Sequence, residues 1–541
     1  MAGGYIGPST AVAGLPQGTV WENSKCFIIC LLVSIATFQY GFDTGIINGF
    51  QAMQGFLRVF GVPSTPGGST YVIQTTFQQL ITSLLQLGLI IASAIMGPFS
   101  RYLGRKAGFI TASVLSIIAI TIQELVTTQG PIYFARLLLG IANGMFVNLV
   151  VLYVSEASPS HLRGSFVAAY QAFNSGGGLI GAIISNAFKT NLTKHSYQYQ
   201  LIILYIVPVW LILFSLYLPE SPRWLATRER NDAALHSLTR LRGNALTPEQ
   251  IKIELESIKE AIRIEKEIES TANFFDIFKG TDLRRTILCC CATTLHAASG
   301  INFLVGYGTV FFQVAGQTNA FVDTVILQTC GLVGALMGPF AARMIGRKTI
   351  LIFGFSITTT TMFIVAILST LAIHTTAEAG KGLVAMVCIY EWAYAISVGP
   401  LAWVVAGEIP SNRLRSMTFG FGMAIGFIFA WLTTFTTPYF INATALNLGA
   451  KVAWIWGPSN LITLVFLVFF LPETQGFSLE ELDELFINKV PARKFSSYKI
   501  HGIDTAALGL EHGTQTPDAD SDIKYESTHI ETVPSLQQKG Q

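Results

Sequence analysis

Charge is what this sequence has least of. Only 12% of its 541 residues are Asp, Glu, Lys or Arg, against about 25% in soluble domains, while 51% are hydrophobic. The 34 basic and 32 acidic residues nearly cancel, leaving a net charge of +2, so no global field argues for nucleic acid as a partner. Cysteine is scarce as well. Cys26, Cys30, Cys289, Cys290, Cys291, Cys330 and Cys388 all fall in apolar segments, where they read as small buried hydrophobes and not as a disulfide framework or a metal site. Residues 1–24 lack a charged start followed by an apolar run, so no cleaved signal peptide is expected and the first membrane helix would itself direct insertion. No nucleophile–base constellation, nucleotide loop or metal-spaced cluster stands out, so neither an enzyme nor a bound cofactor is expected.

Long apolar runs are what the chain has instead. Windows of about 20 apolar residues mark membrane helices, and twelve occur, near 26–47, 76–99, 107–127, 131–153, 166–188, 199–218, 286–312, 322–342, 349–373, 383–406, 417–438 and 451–471. The expectation is an all-α membrane protein of two six-helix halves, 26–219 and 286–472, with short cytosolic linker helices in a connector at 220–285. Residues 1–25 and 473–541 form tails, the latter disordered beyond about 496 for want of hydrophobic periodicity. Thr247-Pro248-Glu249-Gln250 reads as a capping box with proline at the first helical position. Ile251, Ile253, Leu255, Ile258, Ile262 and Ile264 then give that helix a partial apolar face.

Orientation follows from Lys and Arg in short loops. Arg101, Arg105, Lys106, Arg163, Arg343, Arg347, Lys348, Arg413 and Arg415 follow even-numbered helices, and the loops after odd-numbered helices are nearly bare. Both termini are therefore expected in the cytosol, and plasma membrane is the expected location. The sequons at Asn191 and Asn442 then fall outside, as candidate glycosylation sites.

Asp43 is the one charge in the first apolar run, and Arg136 is the other deep charge of that half. A lone carboxylate at that depth costs about 2.5–3.5 kcal/mol on insertion scales, so it is expected to face a cavity or a partner charge. The two read as a pair, either proton-sensitive or a fixed structural ion pair.

The strongest structural signal is a repeat. Gly97-Pro98-Phe99-Ser100-Arg101-Tyr102-Leu103-Gly104-Arg105-Lys106 returns as Gly338-Pro339-Phe340-Ala341-Ala342-Arg343-Met344-Ile345-Gly346-Arg347-Lys348. Glu156 precedes Arg163 by seven residues, as Glu408 precedes Arg415, and Pro219-Glu220-Ser221-Pro222-Arg223 is echoed by Pro472-Glu473-Thr474. Duplicated six-helix halves place a small-molecule site between them at mid-membrane.

Together these motifs resemble the sugar porter family of the major facilitator superfamily, its fungal members most closely, over about residues 25–480. The resemblance implies a secondary active transporter that imports a monosaccharide with a proton by alternating access. It makes Asp43 the proton acceptor with Arg136 its partner. It makes Glu156, Arg163, Glu408, Arg415, Arg105 and Arg347 gating residues that bridge helices at the cytosolic side. Gln171, Asn302 and Trp403 match solute-binding positions. His296 stands where the family has a glutamine, with Ala297 at a second such place and Gly331, Gly426 and Phe427 at other polar or aromatic ones. Asn174 and Glu391 are candidate replacements for the lost amides. A neutral His296 would serve a hexose and a protonated one a sugar acid such as a uronate. A non-transporting sugar sensor on the same fold is the third reading, which Asp43 and Arg136 argue against. Protons, a sugar or sugar acid, and lipid are the expected partners.

Overall fold

The computed structural model describes residues 21–64, 70–159, 163–243, 245–270, 272–371, 377–442 and 444–498, leaving aside the side chains of 163–169, 268–270, 343, 377, 479 and 496–497. Of the tail expected at 473–541, the described part forms a helix Leu479–Ile487 and a 3₁₀ turn Ala492–Ser497; the part beyond 498 and the first 20 residues lie outside this range. Eleven helices among the described residues are long and apolar enough to cross a membrane: α1 Ser24–Phe50, α2 Thr75–Leu103, α3 Arg105–Leu125, α4 Gln129–Ala157, α6 His195–Tyr217, α7 Gly280–Val314, α8 Ala320–Ala342, α9 Arg347–Leu371, α10 Glu378–Glu408, α11 Arg415–Ile441 and α12 Gly449–Phe469. The twelfth, α5 Arg163–Phe188, is more polar because it carries Gln171, Asn174 and a run of three glycines. The chain is thus an all-α, multi-pass membrane protein of twelve helices.

Within each half the helices pair alike. α1 packs on α5, α2 on α4 and α3 on α6; α7 packs on α11, α8 on α10 and α9 on α12. The halves meet where α5 lies against α8, α11 against α2, and the second segment of α7 against α1. Lipid gives no hydrophobic drive between helices, so close backbone approach has to supply the attraction. Gly41 and Gly45 of α1 face Gly178 and Gly181 of α5, so closely that a Cβ on Gly41 would lie 1.9 Å from the Asn174 carbonyl oxygen. This contact fixes the rotation of α1 and hence the direction of Asp43.

At the connector end, Gly104 has φ +87°, turning the chain sharply between α2 and α3. The Glu220 carboxylate sits over that turn, accepting from the backbone N–H of Arg105 at 2.9 Å and of Lys106 at 3.2 Å. Glu473 does the same in the other half, accepting from Lys348 N–H at 3.1 Å. Each closes a helix N-terminus, where negative charge is favoured.

The connector folds as helices Pro222–Thr227, Asn231–Arg242 and Pro248–Ser270 and a 3₁₀ turn Phe274–Phe278. The capping box forms: Gln250 Oε1 accepts from Thr247 N–H at 2.9 Å, and Thr247 Oγ1 from Gln250 N–H at 3.4 Å. That helix is 23 residues long rather than short. Ile251, Leu255, Ile258 and Ile262 pack with Leu225 and Leu238. Ile253 and Ile264 instead point outward, since two-residue spacing rotates a side chain by about 200° on a helix. Arg242 ties the connector to α4 by donating to the Ala157 carbonyl at 2.8 Å, and it pairs with Glu254. Asp276, held below the usual carboxylate range first by Lys279, reaches Arg413 at 3.6 Å before α11.

Candidate functional site

Asp43 and Arg136 meet. Arg136 Nη1 donates to Asp43 Oδ1 at 2.7 Å, with both side chains 1% exposed. Arg136 Nε donates to the Ile81 carbonyl of α2 at 2.7 Å, and Asn143 Nδ2 approaches Asp43 Oδ2 at 3.4 Å. Arg136 Nη2 has no partner among the described residues. The pair therefore holds α1, α2 and α4 together and keeps one donor in reserve. Removing one member of a buried pair leaves the other uncompensated, at about 3–5 kcal/mol.

A second set of groups collects between α5, α7 and α10. α7 breaks at Gly300, whose φ is +86° and where a Cβ would lie 2.6 Å from Trp456. The backbone turn and the indole both require glycine there. α10 breaks at Ser397, between segments Ala377–Ile396 and Val398–Glu408. Across these breaks the His296 ring stacks on Trp403 with centroids 4.7 Å apart, and Trp403 meets Phe427 at 5.9 Å. His296 Nδ1 shares a hydrogen bond with the Tyr394 hydroxyl, and its Nε2 is buried with no partner among the described residues. Gln171 Nε2 arrives from α5 against Gly399, where the Tyr394 ring also lies. Gln171, His296 and Trp403 are thus assembled around Tyr394, a residue the sequence reading did not select. Asn302 Nδ2 and Asn174 Oδ1 are buried polar atoms with no partner among the described residues, so neither is bonded into that cluster through these atoms. Unpaired amide atoms of this kind are costly unless a solute or water completes them.

The arginine–glutamate pairs lie at the connector end. Arg105 holds Glu156 through Nη2–Oε1 at 2.6 Å and Nε–Oε2 at 2.8 Å. Arg347 meets Glu408 at 3.0 Å. Both pairs join helices of the same half, α3 to α4 and α9 to α10. Arg415 is buried at the start of α11, and the Arg163 side chain lies outside the described residues. Glu220 and Glu473 were legible as a repeat, but their capping role was not assigned from sequence.

The end of the bundle away from the connector is closed by bonds between halves. Asn48 accepts from Thr309 N–H at 2.9 Å, and Gln51 Nε2 donates to the Gly306 carbonyl at 2.9 Å. Asn442 Nδ2 donates to Gln78 Oε1 at 2.7 Å and to Thr75 Oγ1 at 3.1 Å. The sequon nitrogen at Asn442 is therefore committed inside the bundle. At Asn191 it is Oδ1 that is engaged, accepting from Thr193 N–H at 3.0 Å.

Two pseudo-symmetric six-helix halves, with a buried ion pair in one and a polar–aromatic cluster at helix breaks in the other, define a membrane transporter of the major facilitator type. The family profile described as "Sugar (and other) transporter" matches residues 29–486, and the chain belongs to that family. It is 30% identical over 519 residues to the maltose permease MAL31 of Saccharomyces cerevisiae, covering 94% of this chain and 82% of that one. It is 29% identical to the major facilitator-type transporter ecdD of Aspergillus rugulosus, covering 96% and 97% of the two chains. The fold is shared with the inward-open xylose transporter XylE from E. coli, with TM-score 0.70, 21% identity and 85% and 99% coverage.

Proposed function

We propose that this protein imports a monosaccharide together with a proton by alternating access. The observation that carries the reading is the Asp43–Arg136 pair, sealed from solvent inside the N-terminal half of a sugar-transporter fold. Asp43 is the carboxyl that loads the proton, and Arg136 is the counter-charge that stands in for it while the site is empty. Gln171, Asn302, Asn174, His296 and Trp403 make the solute frame: amides with unpaired atoms, and an indole face for the C–H surface of a ring. Relatives of this chain include a general alpha-glucoside permease and a maltose permease of Saccharomyces cerevisiae and a probable glucose transporter of Neurospora crassa, which supports a neutral sugar. A uronate is less well served. His296 is already bonded to Tyr394, which takes one of the two ring nitrogens that a carboxylate could use.

Arg105–Glu156 and Arg347–Glu408, with Arg163 and Arg415, serve as connector-side gate elements that stiffen each half. Residues 1–25, the connector 220–285 and residues 473–541 lie in the cytosol by the Lys and Arg distribution, and Asn191 carries glycan at the outer surface. The test is uptake of labelled sugars by cells lacking their own sugar carriers. Accumulation above the outside concentration, abolished by a protonophore, supports the reading; uptake that only equilibrates, or none at all, rejects it.

A further inference from the structure

Among the described residues the buried acids are Asp43 and Glu391, and in the transport reading above Glu391 has no contact with solute or proton. It lies in the first segment of α10, is 8% exposed, and has an Oε2 sealed from solvent with no hydrogen-bond partner among the described residues. A carboxyl in the membrane interior is held at a cost, and such groups as a rule line solute or ion paths. Here the room for it comes from a missing side chain. A Cβ on Gly331 of α8 would lie 3.0 Å from Glu391 Oε1 and 3.5 Å from its carboxyl carbon, so the carboxyl rests on bare α8 backbone.

The neighbouring hydroxyls do not satisfy it. Tyr390 donates to the Ser299 carbonyl at 2.6 Å, and Tyr394 shares its hydrogen bond with His296. Tyr394 is three positions further along α10, on the same helix face as Glu391, and its ring lies by Gly399, where Gln171 Nε2 arrives. Glu391 thus stands about one helical turn from Tyr394, which holds His296 and lies beside Gln171 at Gly399.

We infer that Glu391 is a specificity-determining solute contact, whose free oxygen accepts one particular hydroxyl of the sugar. The assignment rests on the transport reading above. A carboxyl oxygen accepts a hydroxyl proton in either charge state, so the contact does not depend on whether Glu391 is ionised. A sugar lacking that hydroxyl would leave the buried oxygen unpaired, and the site discriminates against it.

The test uses the full chain in carrier-deficient cells. The probe is whichever of labelled D-glucose, D-xylose and D-galactose the wild type imports, competed by its mono-deoxy derivatives. Wild type should disfavour one deoxy derivative by about tenfold more than the others. E391A should raise KM for the parent sugar by about tenfold and accept that single derivative as well as the parent, with the other rankings kept. E391Q, which retains a carbonyl oxygen, should keep the wild-type ranking. E391A with G331N returns a polar group to the same space from α8 and should restore part of the discrimination. If E391A raises KM equally for the parent and every derivative at normal membrane abundance, or changes nothing, Glu391 is a packing residue and the inference is wrong while transport stands. If wild type imports none of the three sugars, the transport reading fails and takes this assignment with it.

Discussion

Replacing Gly41 by alanine tests whether the α1–α5 contact aims the coupling carboxyl. The added Cβ would stand 1.9 Å from the Asn174 carbonyl oxygen, 2.8 Å from its carbon and 3.0 Å from the Gly178 nitrogen. All three are backbone atoms that no rotamer change can move. Relief needs the helices to part by roughly 1 Å, and close-packed interiors resist this. Overpacking costs about 1–3 kcal/mol, and alanine returns about 0.5–1 kcal/mol of helix propensity, so the net loss reaches roughly 2.5 kcal/mol. Gly176 on α5 is the control, because nothing lies within 4 Å of a Cβ built there; Gly176→Ala should gain the propensity term alone. Thermal unfolding of purified protein should rank Gly176→Ala at or above wild type and Gly41→Ala below it. Sugar uptake should fall in Gly41→Ala, since Asp43 is two residues along and turns with the helix. If Gly41→Ala melts with wild type, or Gly176→Ala loses as much, the close contact does not set the packing.

Three further outcomes are expected. Glu220→Gln weakens the charge-assisted closure of α3 and should cost about 1–3 kcal/mol, seen as a lower melting temperature with membrane insertion intact; an unchanged melting temperature would deny the cap its role. Gln171→Ala and Asn302→Ala should each weaken apparent sugar affinity by roughly five- to 150-fold, the range given by 1–3 kcal/mol per lost bond, whereas unchanged uptake kinetics at equal surface abundance would place the solute elsewhere. Asn191→Gln should remove the glycan-dependent mobility shift on a gel and Asn442→Gln should not, because the Asn442 nitrogen is held by Gln78 and Thr75.

The architecture was readable because membrane insertion constrains sequence strongly. Every backbone polar group must be paired inside lipid, so spans appear as apolar runs, and duplication repeated the Gly-Arg-Lys and Pro-Glu signatures in both halves. Asp43 and Arg136 were readable for the same reason: charge in apolar runs is conspicuous. What stayed hidden depends on distance between segments far apart in sequence. Nothing near Gly41 announces that its partner is the backbone of Asn174, 133 residues later. Tyr394 looked like one more aromatic of α10, until the α7 break at Gly300 brought His296 against it. Glu220 and Glu473 were visible as a repeat but mute about role, because a cap is defined by the N–H groups it faces. On the connector helix, Ile253 and Ile264 joined the apolar list by hydrophobicity, and only the helical rotation separates them from Ile251 and Leu255.

The central claim is that Asp43 loads the proton that drives accumulation, and one substitution measures it. Asp43→Asn removes the titratable proton site with little change of shape. In carrier-deficient cells this variant, checked for membrane abundance, is given labelled sugar under an inward proton gradient. The account predicts that uphill accumulation and the pH dependence of uptake are both lost, with exchange of sugar across the membrane retained. Concentration of sugar above the external level by Asp43→Asn would contradict it and leave the Asp43–Arg136 pair as a structural clamp between α1 and α4.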